Sequence, residues 1–140
     1  MDFREIIGKV EEFHNAFGVH NNSRPTLQSI NVTSLRSKLM VEEVDEYLEA
    51  QTIEDVADAL GDQLYILCGT IAVHGLQDKI VDIFNAIHES NMSKLGLDGN
   101  PVINGKQVFD ESKPIGKILK GPNYFTPTSQ IEEILKSNGK

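Results

Sequence analysis

The chain lacks features that define several large classes of protein. It contains a single cysteine, Cys68, so an internal disulfide is excluded, and this thiol is predicted to be a small buried side chain because it lies in an apolar run. The N-terminus carries charges throughout and does not resemble a signal peptide. No apolar run approaches the roughly 18–20 residues that a membrane span needs. These absences predict a cytoplasmic protein with no membrane partner.

Two common nucleotide-binding motifs and an excess of positive charge are also missing. The sequence contains neither a Walker P-loop nor a GxGxxG turn, which argues against the P-loop and Rossmann classes. The formal net charge is −8, whereas proteins that neutralise the phosphates of nucleic acids are usually basic. We therefore predict no nucleic-acid partner.

Apolar residues recur at helical spacing over the first two thirds of the chain. The pattern predicts four helices, over about 3–17, 34–50, 52–73 and 78–94. Thr33 or Ser34 is predicted to cap the second helix, and Thr52 begins a start of the third that is similar to a capping box. Only residues 51–52 connect the second and third helices, so these two helices should pack antiparallel. The third is apolar on most of its circumference, and three other helices can hardly enclose it. We therefore predict a homodimer or homotetramer that buries the third and fourth helices.

The composition changes at Gly96, after which Gly, Pro and Asn are frequent. The Asn104-Gly105 pair predicts a small hairpin over 102–108, and a short last helix is predicted over 130–136. The sequence thus indicates a single domain, residues 1–140, of the all-α class. It comprises a four-helix core over about 3–95 and an irregular, basic C-terminal segment over about 96–140.

The second predicted helix carries three glutamates on one face. At 100° per residue, Glu42, Glu43 and Glu46 fall within an arc of roughly 100°, which also contains Leu35 and Leu39. A solvated acidic face is one interpretation of such a cluster. The leucines within the arc favour a second interpretation, in which the acids border the core.

The third predicted helix contains an acid where none is expected. Asp62 lies in the run ALGDQLYILCGTIAV, and Asp58 lies one turn earlier on the same face. A buried, unpaired carboxylate costs several kcal/mol, so Asp62 needs a cation, a hydrogen-bond donor or a metal ion. Pairing with Arg36 or with a lysine is the alternative to a metal site.

The predicted antiparallel packing brings these acids to the same level. Glu43 and Glu46 are about as far before the turn as Asp58 and Asp62 are after it. Carboxylates that converge repel one another and raise one another's pKa values, and a divalent cation removes the conflict. Ligands that are all oxygen select Mg²⁺ or Mn²⁺ rather than zinc.

Four segments in this order resemble the all-α nucleoside triphosphate pyrophosphohydrolases, the MazG-like and phosphoribosyl-ATP pyrophosphohydrolase-like superfamily. Glu42-Glu43-Val-Asp-Glu46 is similar to the EExxE element of that superfamily, and 57–65 resembles its second acidic element. The segments 88–94 and 116–124 resemble the following helix and the C-terminal segment of one branch. The second element is usually ExxD, but Ala59 stands at the Glu position. Asp58, one residue earlier, is therefore the candidate replacement.

The resemblance implies specific roles for these residues. It implies Mg²⁺, with Mn²⁺ as an alternative, bound by Glu43, Glu46, Asp58 and Asp62, and a catalytic carboxylate, Glu42 or Glu43, that orients or deprotonates water. The segment from Lys94 to Lys120 contains five lysines and three acids and suits phosphate binding. The implied substrate-binding residues are Asn91, Lys94, Lys117, Lys120 and Tyr124.

The implied function is hydrolysis of a nucleoside triphosphate to the monophosphate and pyrophosphate. Its implied role is house-cleaning of the nucleotide pool, which is the removal of unwanted nucleotides. One alternative is the phosphoribosyl-ATP pyrophosphohydrolase of histidine biosynthesis, which is usually shorter and lacks this basic tail. A non-catalytic helical oligomerisation module is an alternative of another class. It explains the helices but leaves Asp62 in its apolar run unexplained.

Overall fold

The computed structural model describes residues 1–137, and these residues form helices with very little strand. The helices are α1 (Phe3–Phe17), α2 (Ile30–Glu49), α3 (Ile53–Val73), α4 (Ile80–Met92) and α5 (Thr128–Lys136), and the strands are β1 (Val102–Ile103) and β2 (Ile118–Leu119). The predicted all-α class is confirmed. The chain divides into two compact units, Met1–Ile80 and Val81–Lys140, so the division falls before the change of composition at Gly96.

Helix α1 supplies one wall of the core of the first unit. Asp2 caps its N-terminus by accepting from the main-chain N–H of Glu5, and Gly18 ends it in a left-handed conformation with φ 75°, a geometry that glycine adopts without strain. Its apolar stripe packs against α3, where Ile7, Val10 and the fully buried Cys68 form one cluster with Ile71 and Ala72. The prediction that Cys68 is a small buried side chain is confirmed.

Helix α2 begins at Ile30, four residues before the predicted start. Both predicted caps, Thr33 and Ser34, therefore lie inside the helix. The hydroxyl of Thr33 donates to the carbonyl of Ile30, and its N–H donates to the carbonyl of Ser29. A threonine that returns its hydroxyl to the preceding turn fits inside a helix, so the sequence signal for a cap was misleading. Helix α2 packs on α3, as the two-residue connection predicted.

Helix α3 is the central helix of the first unit, because it packs against both α1 and α2. Thr52 caps it by accepting from the N–H of Asp55, as the sequence predicted. Among the described helices α3 alone has the length and hydropathy of a membrane span, with a third of that window (33%) buried. A core helix of a soluble protein passes the same test, so this finding assigns no location.

The loop between α1 and α2 is fastened to the C-terminal end of α3. The side-chain amide of Asn22 donates to the carbonyl of Val73, and the N–H of Thr26 donates to that of His74. Gly75 has φ 70°, and a Cβ atom there would clash with the carbonyl of Arg24. Glycine therefore allows the loop to cross the end of α3 closely.

The second unit contains α4, the two strands and α5. The strands pair antiparallel, with Val102 opposite Leu119 and Ile103 opposite Ile118. The chain turns at Asn104-Gly105 as predicted, since the N–H of Lys106 donates to the carbonyl of Ile103 and Gly105 has φ 94°. The paired strands of the predicted hairpin are not formed, because β1 pairs with a strand fifteen residues further along the chain.

The buried side chain of Asn104 explains this long-range pairing. Its amide nitrogen donates to the carbonyls of Asp110, Lys113 and Pro114 over 2.9–3.0 Å, and its amide oxygen accepts from the N–H of Asp110 at 2.7 Å. Asn104 is 1% exposed. These bonds hold the intervening loop and thereby set β2 beside β1, so Asn104 has a structural role in addition to its place in the turn.

Candidate metal centre

Three carboxylates meet between α2 and α3 in the first unit. Glu43 and Glu46 are three residues apart on α2, so one helical turn places them on the same face, and Asp62 lies on α3, which packs against α2. One carboxylate oxygen from each residue lies within 4.8 Å of those from the other two. The convergence predicted for Glu43, Glu46 and Asp62 is therefore present.

The crowding of these carboxylates changes the pKa of Glu43. Burial, followed by the interactions with the neighbouring carboxylates of Glu46 and Asp62, raises the pKa of Glu43 to about 7. Its Oε2 atom is buried and has no hydrogen-bond partner among the described residues. A buried acceptor without a donor is rare in folded proteins, so this oxygen has unused capacity for a ligand.

Two predicted site residues lie outside the cluster. Glu42 and Asp58 are exposed, and no comparable group of three acids within residues 1–137 includes either of them. Ala59, at the position where the second element usually has Glu, is 2% exposed and offers no oxygen. The departure of the sequence from ExxD thus leaves three convergent carboxylates instead of four.

The alternative partner for Asp62, Arg36, binds elsewhere. The guanidinium of Arg36 donates from Nε to the hydroxyl of Thr70 at 2.9 Å and from Nη2 to the carbonyl of Ile66 at 2.8 Å. The ion pairs of the described part of the chain do not include Asp62. The interpretation of Asp62 as half of a buried ion pair is therefore not supported.

The donor set suits a hard divalent cation. It consists of carboxylate oxygens only, which Mg²⁺ and Mn²⁺ prefer, and it includes the unpartnered Oε2 of Glu43. A cation between the three groups would offset the repulsion that raises the pKa of Glu43. The residues present therefore fit the cofactor predicted from the sequence.

The predicted substrate-binding residues of the second unit lie on two segments that meet at one hydrogen bond. The N–H of Gly121 donates to the carbonyl of Lys94 at 2.7 Å, and a Cβ atom on Gly121 would clash with the carbonyl of Leu95. The ammonium of Lys120 lies 4.8 Å from the centre of the Tyr124 ring. The structure thus brings the chain on either side of Gly121 against the residues that follow α4, while the side chains of Asn91 and Lys117 are exposed.

One feature of the first unit was not predicted from the sequence. A cavity of about 470 Å³ lies among α1, α2, α3 and the loop that follows α1. Phe13 and Tyr65 stand edge to face in its wall, with 5.7 Å between ring centres. Tyr65 ends the second acidic element, but nothing in the spacing of that element indicates a cavity, because the cavity depends on the path of the loop.

Comparison with known proteins assigns a family. A family model described as phosphoribosyl-ATP pyrophosphohydrolase matches residues 10–91, which is more than half of the chain and includes all three clustered carboxylates. Comparison with curated proteins found no match. A crystal structure of a candidate NTP pyrophosphohydrolase from Exiguobacterium sp. 255-15 covers 96% of this chain and 95% of that chain, at 17% identity and a TM-score of 0.39. That likeness is too distant to carry a functional assignment.

Proposed function

Since the chain belongs to the phosphoribosyl-ATP pyrophosphohydrolase family, we propose that it hydrolyses a nucleoside triphosphate to the monophosphate and pyrophosphate. Family membership supports nucleotide pyrophosphohydrolase activity in general, and the triphosphate substrate is our extension. The observation that carries the proposal is the convergence of Glu43, Glu46 and Asp62 within 4.8 Å. The proposed biological role of this activity is house-cleaning of the nucleotide pool.

In this proposal Glu43, Glu46 and Asp62 hold Mg²⁺, or Mn²⁺ in its place. A divalent cation supplies charge neutralisation at phosphate oxygens and a water of lowered pKa. The proton of the attacking water goes to a carboxylate, for which Glu42 and Glu43 are the candidates. Glu42 is exposed beside the cluster and is free to act as a base while Glu43 serves as a ligand. Asp58 is the less favoured metal ligand, because it lies outside the cluster.

The lysines of the second unit are proposed to bind phosphate. A triphosphate carries several negative charges and the protein is acidic, so donors beyond the cation are required. Lys94, Lys117 and Lys120 are the candidates, and Asn91 is proposed to contact phosphate or sugar. The ring of Tyr124, already beside the ammonium of Lys120, is proposed to stack on the substrate.

Phosphoribosyl-ATP is the second candidate substrate, because the matching family bears its name. Both substrates would release pyrophosphate, so the choice depends on the base and its substituents. A panel of nucleoside triphosphates and phosphoribosyl-ATP, compared by kcat/KM at equal Mg²⁺, separates the two candidates.

A second copy of the chain is proposed to cover the apolar side chains that α2, α3 and α4 leave exposed. Leu48 on α2 is 80% exposed, Ile53 on α3 is 73% exposed and Phe84 on α4 is 66% exposed. Apolar surface of this kind favours association. Light scattering at micromolar concentration should give a mass of two or four chains, and a stable 15.5 kDa species would contradict the homodimer or homotetramer.

The test of the function is the product and its dependence on metal. We expect pyrophosphate rather than orthophosphate from at least one nucleoside triphosphate, only when Mg²⁺ or Mn²⁺ is present. Full activity in excess EDTA would contradict the proposal. Absence of pyrophosphate across the whole panel would favour the non-catalytic oligomerisation module.

A further inference from the structure

The cavity of the first unit has apolar walls and a small number of polar atoms. Its polar lining comes from residues on α1, on α2 and in the connecting loop: His14, His20, Gln28 and Arg36. The remaining lining is almost entirely aliphatic or aromatic. Pockets that take small organic ligands combine apolar walls with a few oriented polar groups in this way.

The cavity adjoins the carboxylate cluster. Leu39 in its wall is four residues before Glu43 on α2, and Tyr65 is three residues after Asp62 on α3. At about 1.5 Å per residue these separations are roughly 5–6 Å along the helices. A molecule with its phosphates at the cluster would therefore have its other end within reach of the cavity.

Arg36 brings a charge to the cavity that no acid of the described chain pairs. Two of its donors bind Thr70 and Ile66, and no carboxylate of residues 1–137 lies within ion-pair distance of it. Burial lowers the pKa of Arg36, but a guanidinium in a protein remains charged. Its guanidinium also has hydrogens on Nη1 and Nη2 that no described residue accepts, and these are available to donate to a ligand.

His14 supplies an acceptor next to this donor. It is 3% exposed, and its Nδ1 lies 2.6 Å from the amide oxygen of Asn21. Because that oxygen can only accept, Nδ1 carries the hydrogen, and in this tautomer Nε2 is the acceptor nitrogen of the ring. No hydrogen bond among the described residues uses Nε2.

Gly69 on α3 makes room for this donor and this acceptor together. A Cβ atom at Gly69 would lie 2.5 Å from Nη2 of Arg36 and 3.0 Å from Nε2 of His14. The guanidinium and the imidazole therefore converge on the same point of α3. Any larger residue at position 69 would displace one of them.

We propose that the cavity binds the base of the substrate and that Arg36 and His14 recognise an edge with an oxo group next to a ring N–H. Arg36 donates to the oxo oxygen, and His14 accepts from the N–H. The 6-oxopurines and uracil carry this edge. Adenine presents the opposite pattern, an amino donor beside a bare ring nitrogen, and is disfavoured. Placing the base in this cavity rests on the proposed function, because it assumes a nucleotide held at the cluster.

The first test measures base preference without catalysis. In EDTA, inosine 5′-monophosphate and adenosine 5′-monophosphate are titrated into the ¹⁵N-labelled protein, and the Nε–H signal of Arg36 is followed by NMR. The two ligands share the same phosphate and sugar, so their difference reports the base. We expect inosine 5′-monophosphate to shift the signal and to bind about tenfold or more tightly than adenosine 5′-monophosphate. Equal binding, or shifts that avoid the cavity residues, would overturn the proposal.

The second test uses variants. R36Q should reduce the preference to about twofold or less, whereas K38Q, which removes an exposed charge from the same helix, should leave it intact. Because R36Q loses contacts that tie α2 to α3, its fold is checked by circular dichroism. V32F, which fills the cavity and keeps Arg36, should weaken the binding of both ligands. Unchanged binding in V32F would overturn the proposal even if R36Q does not fold.

The outcomes separate this inference from the proposed function. Release of pyrophosphate without any base preference would remove the role of the cavity and leave the function standing. Selective binding of inosine 5′-monophosphate without release of pyrophosphate from any triphosphate would remove the function, while the recognition of the oxo edge would remain.

Discussion

The two units place their charged residues by different means. In the first unit the acids lie on two regular helices, where a spacing of three residues along α2 and an antiparallel neighbour bring Glu43, Glu46 and Asp62 together. In the second unit the lysines lie on irregular backbone that is held by the side chain of Asn104 and by the contact between Gly121 and Lys94. Helical periodicity therefore determines where the acids lie, and long-range hydrogen bonds determine where the lysines lie.

The largest expected effect concerns the helical site. We expect D62N to lower kcat by about a thousandfold or more, because a lost metal ligand removes several kcal/mol of charge stabilisation in the transition state. The fold should persist, since the substitution relieves repulsion within the cluster. The measurements are steady-state pyrophosphate release and circular dichroism.

D45N is the matched control for this prediction, since Asp45 is an exposed acid on α2 outside the cluster. It should retain the activity of the natural chain. An unfolded D62N protein, or one as active as D45N, would mean that Asp62 is not a metal ligand.

The sequence was informative where local periodicity decides the structure. Helical spacing predicted helix α1 (Phe3–Phe17) and the cap at Thr52. Helical spacing and the short connection between α2 and α3 together predicted the convergence of Glu43, Glu46 and Asp62. It misled where one side chain has two possible roles. Thr33 looks like a cap but bonds within the helix. Asn104 lies in the predicted turn, but its side chain is also buried and fully hydrogen-bonded to the loop that follows.

The sequence could not locate features that depend on contacts between distant segments. The cavity is formed by a loop that is fastened to the end of α3 by Asn22 and Thr26, and no pattern in the loop predicts that path. In the same way, the exposure of Asp58 depends on how α3 is rotated against its neighbours, which the packing of the helices sets.

The irregular unit should respond strongly to the loss of Asn104. N104A removes a buried side chain with four hydrogen bonds and leaves several carbonyls unpaired, so we expect a destabilisation of about 2–4 kcal/mol. Hydrogen exchange should show the loss of protection confined to the second unit, with the amides of α1, α2 and α3 unchanged.

N123A serves as the control for N104A, because Asn123 is exposed, and its effect should be within about 0.5 kcal/mol. If N104A were as stable as N123A, the proposed role of Asn104 in setting β2 beside β1 would be wrong.

The lysines should contribute less than the acids and through binding. We expect K120A and K94A each to raise KM by about tenfold with little change in kcat, because a mobile ammonium binds the ground state and the transition state similarly. Truncation before Gly116 should also raise KM while the first unit stays folded. K136A, in α5, is the control. If K120A, K94A and the truncated chain all had the same KM as the natural chain, these lysines would be ordinary surface residues.

The smallest expected effect is a dependence of stability on pH. The pKa of Glu43 is raised from its ordinary value of 4.5 to about 7, so between these pH values the folded chain binds the proton more tightly than the unfolded chain. The stabilisation from this group is complete below about pH 4.5 and is lost as the pH rises through about 7. In EDTA, Tm should therefore fall less in E43Q than in the natural chain between pH 5 and pH 8.

E49Q, an exposed substitution on the same helix, should behave like the natural chain in that titration. A fall in Tm as large in E43Q as in E49Q would mean that the crowded cluster does not govern this pH dependence.

Metal binding by Glu43, Glu46 and Asp62 is tested most directly by titrating the natural chain, D62N and D45N with Mn²⁺. Free Mn²⁺ is followed by electron paramagnetic resonance. We expect saturable binding to the natural chain and to D45N, with an affinity lower by at least about tenfold in D62N. Equal binding of Mn²⁺ by all three proteins would contradict the assignment of Glu43, Glu46 and Asp62 as the metal centre.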